Sequence, residues 1–339
     1  MAGLPDLTMR YFGRMEPSPI ILACATDRNF AQPLGVMLAS VAANLSPHSQ
    51  LTVYVIDLGI QSAERDMIER AVAPWTVQVQ WIEETLAKYS GLPLWGRMTA
   101  ATYAKLDLAE LLPAGARKAI WLDCDLVVTT DITRLWEEPM DNHVLLAAPD
   151  EVVTTMSSPG GVTAFKSLGL LASTPYFNAG VMVLDLLAWK TERVRERALE
   201  YLHAHADEVY FWDQEALNVA AAGRWRALDP RWNLNASVPI RSRSMTLYQS
   251  ADAPWIVHYT GQLKPWTYSS PVDSLRQLYF HYLDMTPWSG WRPTRSPAMV
   301  AVRWYEQSGI RHIMYPLERL AMRLSRRLSR RTAMSGSRD

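Results

Sequence analysis

Two carboxylates interrupt an otherwise apolar stretch near the middle of this 339-residue chain. The stretch reads Ala119-Ile120-Trp121-Leu122-Asp123-Cys124-Asp125-Leu126-Val127-Val128. Its apolar residues predict a buried strand, and Asp at positions i and i+2 of a strand points to one face. At a strand end, both carboxylates can reach one small, hard cation, and such a cation can neutralise a diphosphate. Asp123 and Asp125 are therefore either metal ligands or turn residues that end the strand.

Strands alternate with helices along the first half of the chain. Strands are predicted at 20–25, 51–56 and 77–82, and helices after Pro33, at 63–73 and at 99–112. This rhythm predicts an α/β fold, with a mostly parallel central sheet and helices on both faces. Ligands of such sheets bind outside the carboxyl ends of the strands, so we expect Asp27, Asp123 and Asp125 in one crevice.

The second half continues the same pattern. Strands are predicted at 143–148 and 176–185, a long loop at 151–173 and a long amphipathic helix at 186–205. A further helix begins near Trp212, and Asp213 is its predicted N-cap.

A second polar cluster follows the predicted strand that ends at His258. A neutral imidazole can be a third metal ligand, Gly261 lets backbone approach a ligand, and the Lys264 ammonium can meet a diphosphate. Taken alone, a His and a Lys beside aromatic residues such as Trp266 fit ordinary packing as well as a site.

Six segments along the chain form an ordered set of motifs. They are Asp27-Arg28-Asn29-Phe30, Thr102-Tyr103-Ala104-Lys105-Leu106, Leu122-Asp123-Cys124-Asp125, Phe177-Asn178-Ala179-Gly180-Val181, Asp213-Gln214, and His258-Tyr259-Thr260-Gly261 with Lys264-Pro265-Trp266. In this order they resemble the motifs of glycosyltransferase family 8, a family of retaining enzymes that includes bacterial lipooligosaccharide galactosyltransferases, lipopolysaccharide core glucosyl- and galactosyltransferases, and glycogenin. The chain departs from the family at Lys105, where Arg is usual, and a Lys cannot reproduce the bidentate fork.

The resemblance implies a GT-A fold, the Rossmann-like fold of nucleotide-diphospho-sugar transferases, and a UDP-sugar donor. It implies Mn²⁺ or Mg²⁺ held by Asp123, Asp125 and His258. The donor-binding residues that it implies are Ala25, Thr26, Asp27, Asn29, Lys105, Asp123, Cys124, Asp125, Asn178, Ala179, Gly180, His258, Gly261 and Lys264. Gln214 would lie behind the anomeric carbon, and Asp213 and Asn178 would bind sugar hydroxyls.

The chemistry also follows from the residue types. Breaking an anomeric C–O bond to a diphosphate develops negative charge on the leaving group, so a divalent cation and Lys264 would lower the barrier electrostatically. The expected activity is transfer of galactose or glucose to a glycan or glycolipid acceptor in cell-surface polysaccharide or lipopolysaccharide synthesis.

Two other functions compete with this interpretation. A sugar-nucleotide pyrophosphorylase would carry a glycine-rich loop after its first strand, where this chain has Ala25-Thr26-Asp27-Arg28. A non-catalytic sugar-nucleotide-binding protein would have no evident need for two carboxylates around a cation. The sequence leaves the hexose, the acceptor and the oligomeric state open.

The chain is predicted to have three parts. These are an N-terminal extension at 1–19, a catalytic domain at 20–285 and an aromatic, basic segment at 286–339. Residues 299–339 hold nine Arg and three acids, whereas the whole chain has 34 basic and 34 acidic side chains, so the body is mildly acidic and we expect no nucleic-acid partner.

The last predicted part has the pattern of a basic amphipathic helix. Its apolar residues are Leu317, Leu320, Ala321, Leu324 and Leu328, its Arg residues are 319, 323, 326, 327, 330 and 331, and Trp288, Trp291, Trp304 and Tyr305 precede it. Such a helix favours an anionic membrane surface, although a merely solvated charged face fits the pattern too. With two cysteines and no signal-peptide pattern, we expect a cytoplasmic protein, peripheral on the inner membrane face.

Overall fold

A computed structural model describes residues 19–94, 98–237, 253–261, 264–267, 274–298, 300, 301 and 304. Its strands are β1 (Ile20–Thr26), β2 (Leu51–Asp57), β3 (Val77–Glu83), β4 (Lys118–Leu122), β5 (Leu126–Val128), β6 (Leu145–Pro149), β7 (Phe177–Asp185), β8 (Trp225–Ala227), β9 (Leu234–Asn235) and β10 (Ile256–His258). Its α-helices are α1 (Ala31–Ala43), α2 (Ser62–Val72), α3 (Leu108–Leu111), α4 (Thr133–Trp136), α5 (Leu186–Thr191), α6 (Val194–Ala204), α7 (Trp212–Ala220) and α8 (Ser274–Leu283). The predicted N-terminal extension up to residue 18 and the predicted basic helix lie outside the described residues.

The larger sheet confirms the predicted mostly parallel α/β architecture. Its order, over the part of the chain that the structure describes, is β3-β2-β1-β4-β7-β6-β8. β1 pairs in parallel with β2 and β4, and β2 pairs in parallel with β3, whereas β7 runs antiparallel to β4 and β6. The carboxyl ends of β1 and β4 therefore meet at one edge of the sheet.

Helices cover both faces of this sheet, as the sequence predicts. Because strand residues alternate between faces, Leu22 of β1 and Ile120 of β4 pack with Leu34 of α1, whereas Trp121 packs in a second cluster with Trp189 of α5. Burying these apolar side chains on both faces supplies most of the driving force for the fold.

The predicted strand across the two carboxylates is wrong in one respect. β4 ends at Leu122, and the chain enters a second, smaller sheet at Leu126, where β5 pairs antiparallel with β10. Asp123, Cys124 and Asp125 form the corner between the two sheets. Backbone hydrogen bonds hold this corner, from Asp123 N to Gly180 O (2.8 Å) and from Tyr259 N to Asp125 O (2.8 Å). A corner lets both carboxylates reach polar partners, which a continuous buried strand would deny them.

Two predicted helices also differ from the structure. The helix predicted at 186–205 is broken into α5 and α6, with Arg193 in the left-handed region at φ 53°. The helix predicted at 99–112 begins as a 3-10 helix, Ala100–Asp107, and becomes α-helical only in α3. The 3-10 turn carries Thr102 and Lys105 toward the site.

Candidate active site

Three side chains that could hold a cation converge where the two sheets meet. Asp123, Asp125 and His258 each offer one ligand atom, and these atoms lie within 4.8 Å of one another. His258 Nε2 is 3.1 Å from Asp125 Oδ1 and 3.9 Å from Asp123 Oδ2. β10 brings His258 opposite Leu126, next to the corner. Carboxylates suit Mg²⁺ and Mn²⁺, and an imidazole is a common further metal ligand, so the donor set fits such a cation.

Gly180 leaves room for the His258 imidazole beside the backbone of β7. A Cβ at residue 180 would lie 2.2 Å from His258 Cε1 and 2.7 Å from its Nδ1. Any larger residue would therefore displace the ring from its present position.

Lys264 pairs with one carboxylate of the cluster. Lys264 Nζ donates to Asp125 Oδ2 and to Tyr259 O, the latter at 2.7 Å. Burial opposes ionisation of Asp125, but Lys264 and His258 hold the pKa of this carboxyl well below its ordinary value. The ammonium of Lys264 thus occupies a position in which it could meet a second anion beside Asp125.

Lys105 is buried, with 3% of its side chain exposed, and its ammonium contacts three acceptors. Its Nζ lies 3.1 Å from Asp123 Oδ1, 2.7 Å from Asp213 Oδ2 and 3.2 Å from Ala179 O. Burial disfavours its charge, yet Asp123 and Asp213 raise the pKa of Lys105 above the ordinary value. A Lys at this position therefore bridges two carboxylates without the bidentate fork of an Arg.

Asp213 does not cap α7, which corrects the prediction from the sequence. Phe211 is the N-cap residue, and the Asp213 carboxylate instead accepts from Thr102 Oγ1 and pairs with Lys105. Burial raises the pKa of Asp213 in spite of the Lys105 charge. Leaving the buried Lys105 ammonium unpaired would cost more free energy than the loss of a helix cap, so Asp213 pairs with Lys105.

Gln214 and Asn178 meet at a residue that the sequence analysis missed. Asp150 Oδ2 accepts from Asn178 Nδ2 at 3.0 Å and from Gln214 Nε2 at 3.2 Å. Ala179 N donates to Gln214 Oε1 at 3.2 Å. Asp150 directly follows β6, so the rule that selected Asp27 at the carboxyl end of a strand could also have selected it.

Asn233 is a second residue that the sequence did not single out for the site. Its Oδ1 lies 2.9 Å from His258 Nδ1, and its Nδ2 donates to Asn178 Oδ1 at 2.9 Å. An Asn at the end of a short 3-10 helix carries no local signal of such a role.

The predicted nucleotide-binding residues lie at the carboxyl end of β1, beside the corner. Cys124 Sγ donates to Ala25 O at 3.1 Å, which joins β1 to the corner. Thr26 donates its hydroxyl to Asp27 O at 3.0 Å, and Asp27 Oδ1 accepts from Asn29 N at 2.9 Å. A hydrogen bond with Cys24, together with burial, raises the pKa of the Cys124 thiol, which keeps it protonated and inert.

Gly261 and Lys264 follow β10 on the other side of the cluster. Gly261 has φ 73°, a conformation that a residue with a Cβ rarely adopts, and the Lys264 ammonium lies beside Asp125. The structure thus brings the residues predicted from all six segments to one end of the two sheets.

The fold and this site define an α/β glycosyltransferase of the GT-A type. Residues 21–270 match the model of the family described as Glycosyl transferase family 8, and the chain belongs to this family. The prediction of a glycosyltransferase rather than a pyrophosphorylase or a non-catalytic protein is confirmed at the level of the family.

Several relatives are similar over most of their length. General stress protein A of Bacillus subtilis is 27% identical over 79% of this chain and 94% of that protein. The lipopolysaccharide 1,3-galactosyltransferase of Salmonella typhimurium is 22% identical, covering 84% and 83% of the two chains. The lipopolysaccharide 1,2-glucosyltransferase of Escherichia coli is 24% identical, covering 82% of each chain.

Solved structures show the same fold. The galactosyltransferase LgtC, in complex with donor and acceptor sugar analogues, superposes with a TM-score of 0.67 at 23% identity, covering 83% of this chain and 99% of that chain. Among the helices that the structure describes, none has the length and apolar character needed to cross a membrane.

Proposed function

We propose that this protein is a retaining, cation-dependent hexosyltransferase that takes its sugar from a UDP-linked donor. The observation that carries the proposal is the convergence of Asp123, Asp125 and His258 at the corner between the sheets, with the Lys264 ammonium beside Asp125. These three residues would hold Mn²⁺ or Mg²⁺. A bound cation would offset the negative charge that develops on the leaving diphosphate.

Lys264 would stabilise the same charge from the protein side. Its Nζ now donates to Asp125 and Tyr259 O, and an ammonium can turn one of its three N–H donors toward a phosphate oxygen without losing its pairing with Asp125. Gly261 would let the backbone approach the diphosphate. Lys105 is in contact with Asp123 and Asp213 and would act through these carboxylates rather than on the donor directly.

The nucleoside would bind at the carboxyl end of β1. Ala25 and Thr26 would meet it with backbone groups, and Asp27 and Asn29 with polar side chains. The Cys124 side chain, hydrogen-bonded to Ala25 O, would keep β1 and the cation-binding corner in register.

The sugar would lie against Gln214, Asp213 and Asn178. Gln214 Oε1 accepts one hydrogen bond from Ala179 N, and its second lone pair could stabilise positive charge at the anomeric carbon. An amide oxygen is a poor nucleophile, so retention would follow from reaction on one face of the sugar, with the departing phosphate taking the proton of the acceptor hydroxyl.

We further propose galactose or glucose as the transferred sugar and a glycan or glycolipid as the acceptor, in cell-surface polysaccharide or lipopolysaccharide synthesis. The similarity to enzymes named as lipopolysaccharide galactosyl- and glucosyltransferases supports this choice.

A donor-hydrolysis screen tests the proposal. We expect one of several UDP-hexoses to be turned over with Mn²⁺ or Mg²⁺, and we expect EDTA or Asp125→Asn to abolish turnover. Asp66→Asn makes the same chemical change on the exposed face of α2 and should keep full turnover. Undiminished turnover in EDTA would refute cation dependence, and no turnover of any UDP-hexose would refute the donor.

We also propose that residues 20–285 form the catalytic domain and that the segment 286–339 associates with an anionic membrane surface from the cytoplasmic side. Within the described part of that segment, Trp291 is 39% exposed and Trp304 is 66% exposed, and the amphipathic ring of Trp favours a membrane headgroup interface. Peripheral binding would bring a lipid-attached acceptor to the enzyme by diffusion along the inner leaflet.

A further inference from the structure

A continuous series of side-chain hydrogen bonds connects His258 with Gln214. His258 Nδ1 lies 2.9 Å from Asn233 Oδ1, and Asn233 Nδ2 donates to Asn178 Oδ1 at 2.9 Å. Asn178 Nδ2 donates to Asp150 Oδ2 at 3.0 Å, and Gln214 Nε2 donates to the same oxygen at 3.2 Å. The series joins the candidate cation cluster to the candidate sugar-binding residues.

The backbone of β7 fixes the direction of these hydrogen bonds. Gly180 N donates to Asn178 Oδ1 at 3.0 Å, and a backbone N–H can only donate. The atom at Asn178 that faces Gly180 and Asn233 must therefore be the oxygen. Because that oxygen accepts, Asn233 must present its NH₂ group to Asn178, which turns its own oxygen toward His258.

The position of one imidazole hydrogen follows from this geometry. Since Asn233 Oδ1 accepts, His258 Nδ1 must carry the hydrogen. The other ring nitrogen, Nε2, then faces Asp125 and Asp123 at 3.1 and 3.9 Å. A nitrogen opposite a hydrogen-bonded ring N–H is the one that binds metals in proteins, and the partner of the N–H holds the ring in its orientation.

The Gln214 amide, at the other end of the series of hydrogen bonds, is oriented in the same way. Ala179 N donates to Gln214 Oε1 at 3.2 Å, so the Gln214 NH₂ group must face Asp150. The second oxygen of Asp150 accepts from Val152 N and Val153 N, each at 2.8 Å, which holds this carboxylate in place.

We propose that Asn233 is a positioning residue that fixes the His258 imidazole for cation binding and, through Asn178, the groups that face the sugar. This inference rests on the proposed function and deepens it. Asn233 is 5% exposed, so it acts through His258 and Asn178 rather than on a donor. A buried amide is costly unless it is hydrogen-bonded, and His258 and Asn178, which hydrogen-bond to the Asn233 side chain, belong to the site.

Two variants separate the effects of the two Asn233 hydrogen bonds, one with His258 and one with Asn178. Asn233→Ala removes both hydrogen bonds. Asn233→Asp keeps an oxygen for His258 Nδ1 but has no NH₂ group for Asn178, and its second oxygen faces the Asn178 oxygen. Asn44→Ala is a matched control, because Asn44 also makes side-chain hydrogen bonds, to Ser40 O, Val128 O and Tyr282 OH, outside the series.

Mn²⁺ affinity of the full-length variants is measured by electron paramagnetic resonance of free Mn²⁺, and donor hydrolysis is measured at saturating Mn²⁺. We expect Asn233→Ala to weaken Mn²⁺ binding by about 10- to 100-fold, the range found when the partner of a metal-ligating His is lost. We expect Asn233→Asp to bind Mn²⁺ as the wild type does but to lose kcat, and Asn44→Ala to change neither quantity.

The outcomes distinguish this inference from the proposed function. Wild-type Mn²⁺ affinity in folded Asn233→Ala, or wild-type kcat in Asn233→Asp, would overturn the inference alone. Absence of Mn²⁺ binding by the wild type would overturn the proposed cation dependence and the inference with it. If Asn233→Ala shows no cooperative thermal transition, the test rests on Asn233→Asp, which preserves the size of the side chain. Wild-type Mn²⁺ affinity with a reduced kcat in this variant would then support the inference.

Discussion

Residue 180 is a glycine because of its neighbour and not because of its backbone conformation. It lies within β7, where the conformation suits any residue, but a Cβ there would lie 2.2 Å from His258 Cε1 and 3.1 Å from Asn178 Oδ1. The missing side chain lets a strand of the large sheet contact a histidine of the small sheet. The resemblance to family motifs selected Gly180 as a donor-binding residue, whereas its contact with His258 depends on two strands that are distant in sequence.

Replacing this glycine should therefore disturb the proposed cation site. We expect Gly180→Ala to displace the imidazole and to lower Mn²⁺ affinity by about tenfold or more, in line with losses of ligand orientation at metal sites. Overpacking should also lower the free energy of unfolding by about 1–3 kcal/mol. Calorimetric titration with Mn²⁺ and urea unfolding measure the two effects.

Gly115→Ala serves as the control for this substitution. A Cβ at residue 115 meets no atom within 4 Å, so both quantities should stay at the wild-type value. Wild-type Mn²⁺ affinity in Gly180→Ala would show that the close contact with His258 does not govern the site.

At the scale of elements, a buried carboxylate joins the 3-10 helix that carries Lys105 to its surroundings. Asp107 Oδ1 pairs with Arg195 of α6, and its Oδ2 accepts from Tyr89 OH at 2.8 Å and pairs with Lys88 at 2.9 Å. Burial opposes ionisation of Asp107, but these partners hold its pKa below the ordinary value.

We predict that Asp107→Asn lowers the free energy of unfolding at neutral pH by up to about 3 kcal/mol, since Lys88 and Arg195 keep some solvent contact. A carboxyl with a depressed folded-state pKa stabilises above its unfolded pKa, near 4, and loses that contribution as pH falls through the folded value. The difference between wild type and variant should therefore shrink below about pH 4.

Urea unfolding between pH 3 and pH 7 measures this dependence. Glu200→Gln, which removes one partner of an exposed pair with Arg193, should leave the unfolding midpoint unchanged at every pH. A wild-type-to-Asp107→Asn difference that is constant with pH would contradict the role of the charge.

Local sequence patterns predicted most of the strands and helices. The strands predicted at 20–25, 51–56 and 77–82, for example, match β1, β2 and β3 closely. The local patterns failed where residues distant in sequence determine the structure. The corner at Asp123–Asp125 depends on β10, about 130 residues later, and the carboxylate of Asp213 pairs with Lys105 instead of capping its own helix. The family motifs predicted residues that lie together in the structure, but the hydrogen bonds of Asp150 and Asn233 are visible only in three dimensions.

At the scale of the whole molecule, the described start of the C-terminal segment is attached to the catalytic body. The Trp288 ring packs over Gly35 of α1, where an added Cβ would lie 2.5 Å from the ring. Trp288 is thus a body residue, which corrects its assignment to a membrane-facing aromatic group, whereas Trp291 and Trp304 are exposed. The proposed membrane contact would begin beyond this attachment.

We predict that the full-length chain co-sediments with anionic but not neutral vesicles at low salt. At about 1 kcal/mol per basic side chain near an anionic surface, the six Arg between 319 and 331 suffice for reversible binding that salt releases. Removal of residues 315–339 should abolish vesicle binding while donor hydrolysis continues. Equal sedimentation of truncated and full-length protein would assign the segment no role at membranes.

The central claim is that Asp123, Asp125 and His258 hold the cation through which the enzyme binds a nucleoside diphosphate. Calorimetric titration of UDP into the full-length protein tests it most directly, with Mn²⁺, with EDTA, and with Asp125→Asn beside the Asp66→Asn control. We predict that wild type and Asp66→Asn bind UDP in Mn²⁺ and that EDTA or Asp125→Asn abolishes the binding heat. An unchanged Kd for UDP in EDTA would contradict the claim.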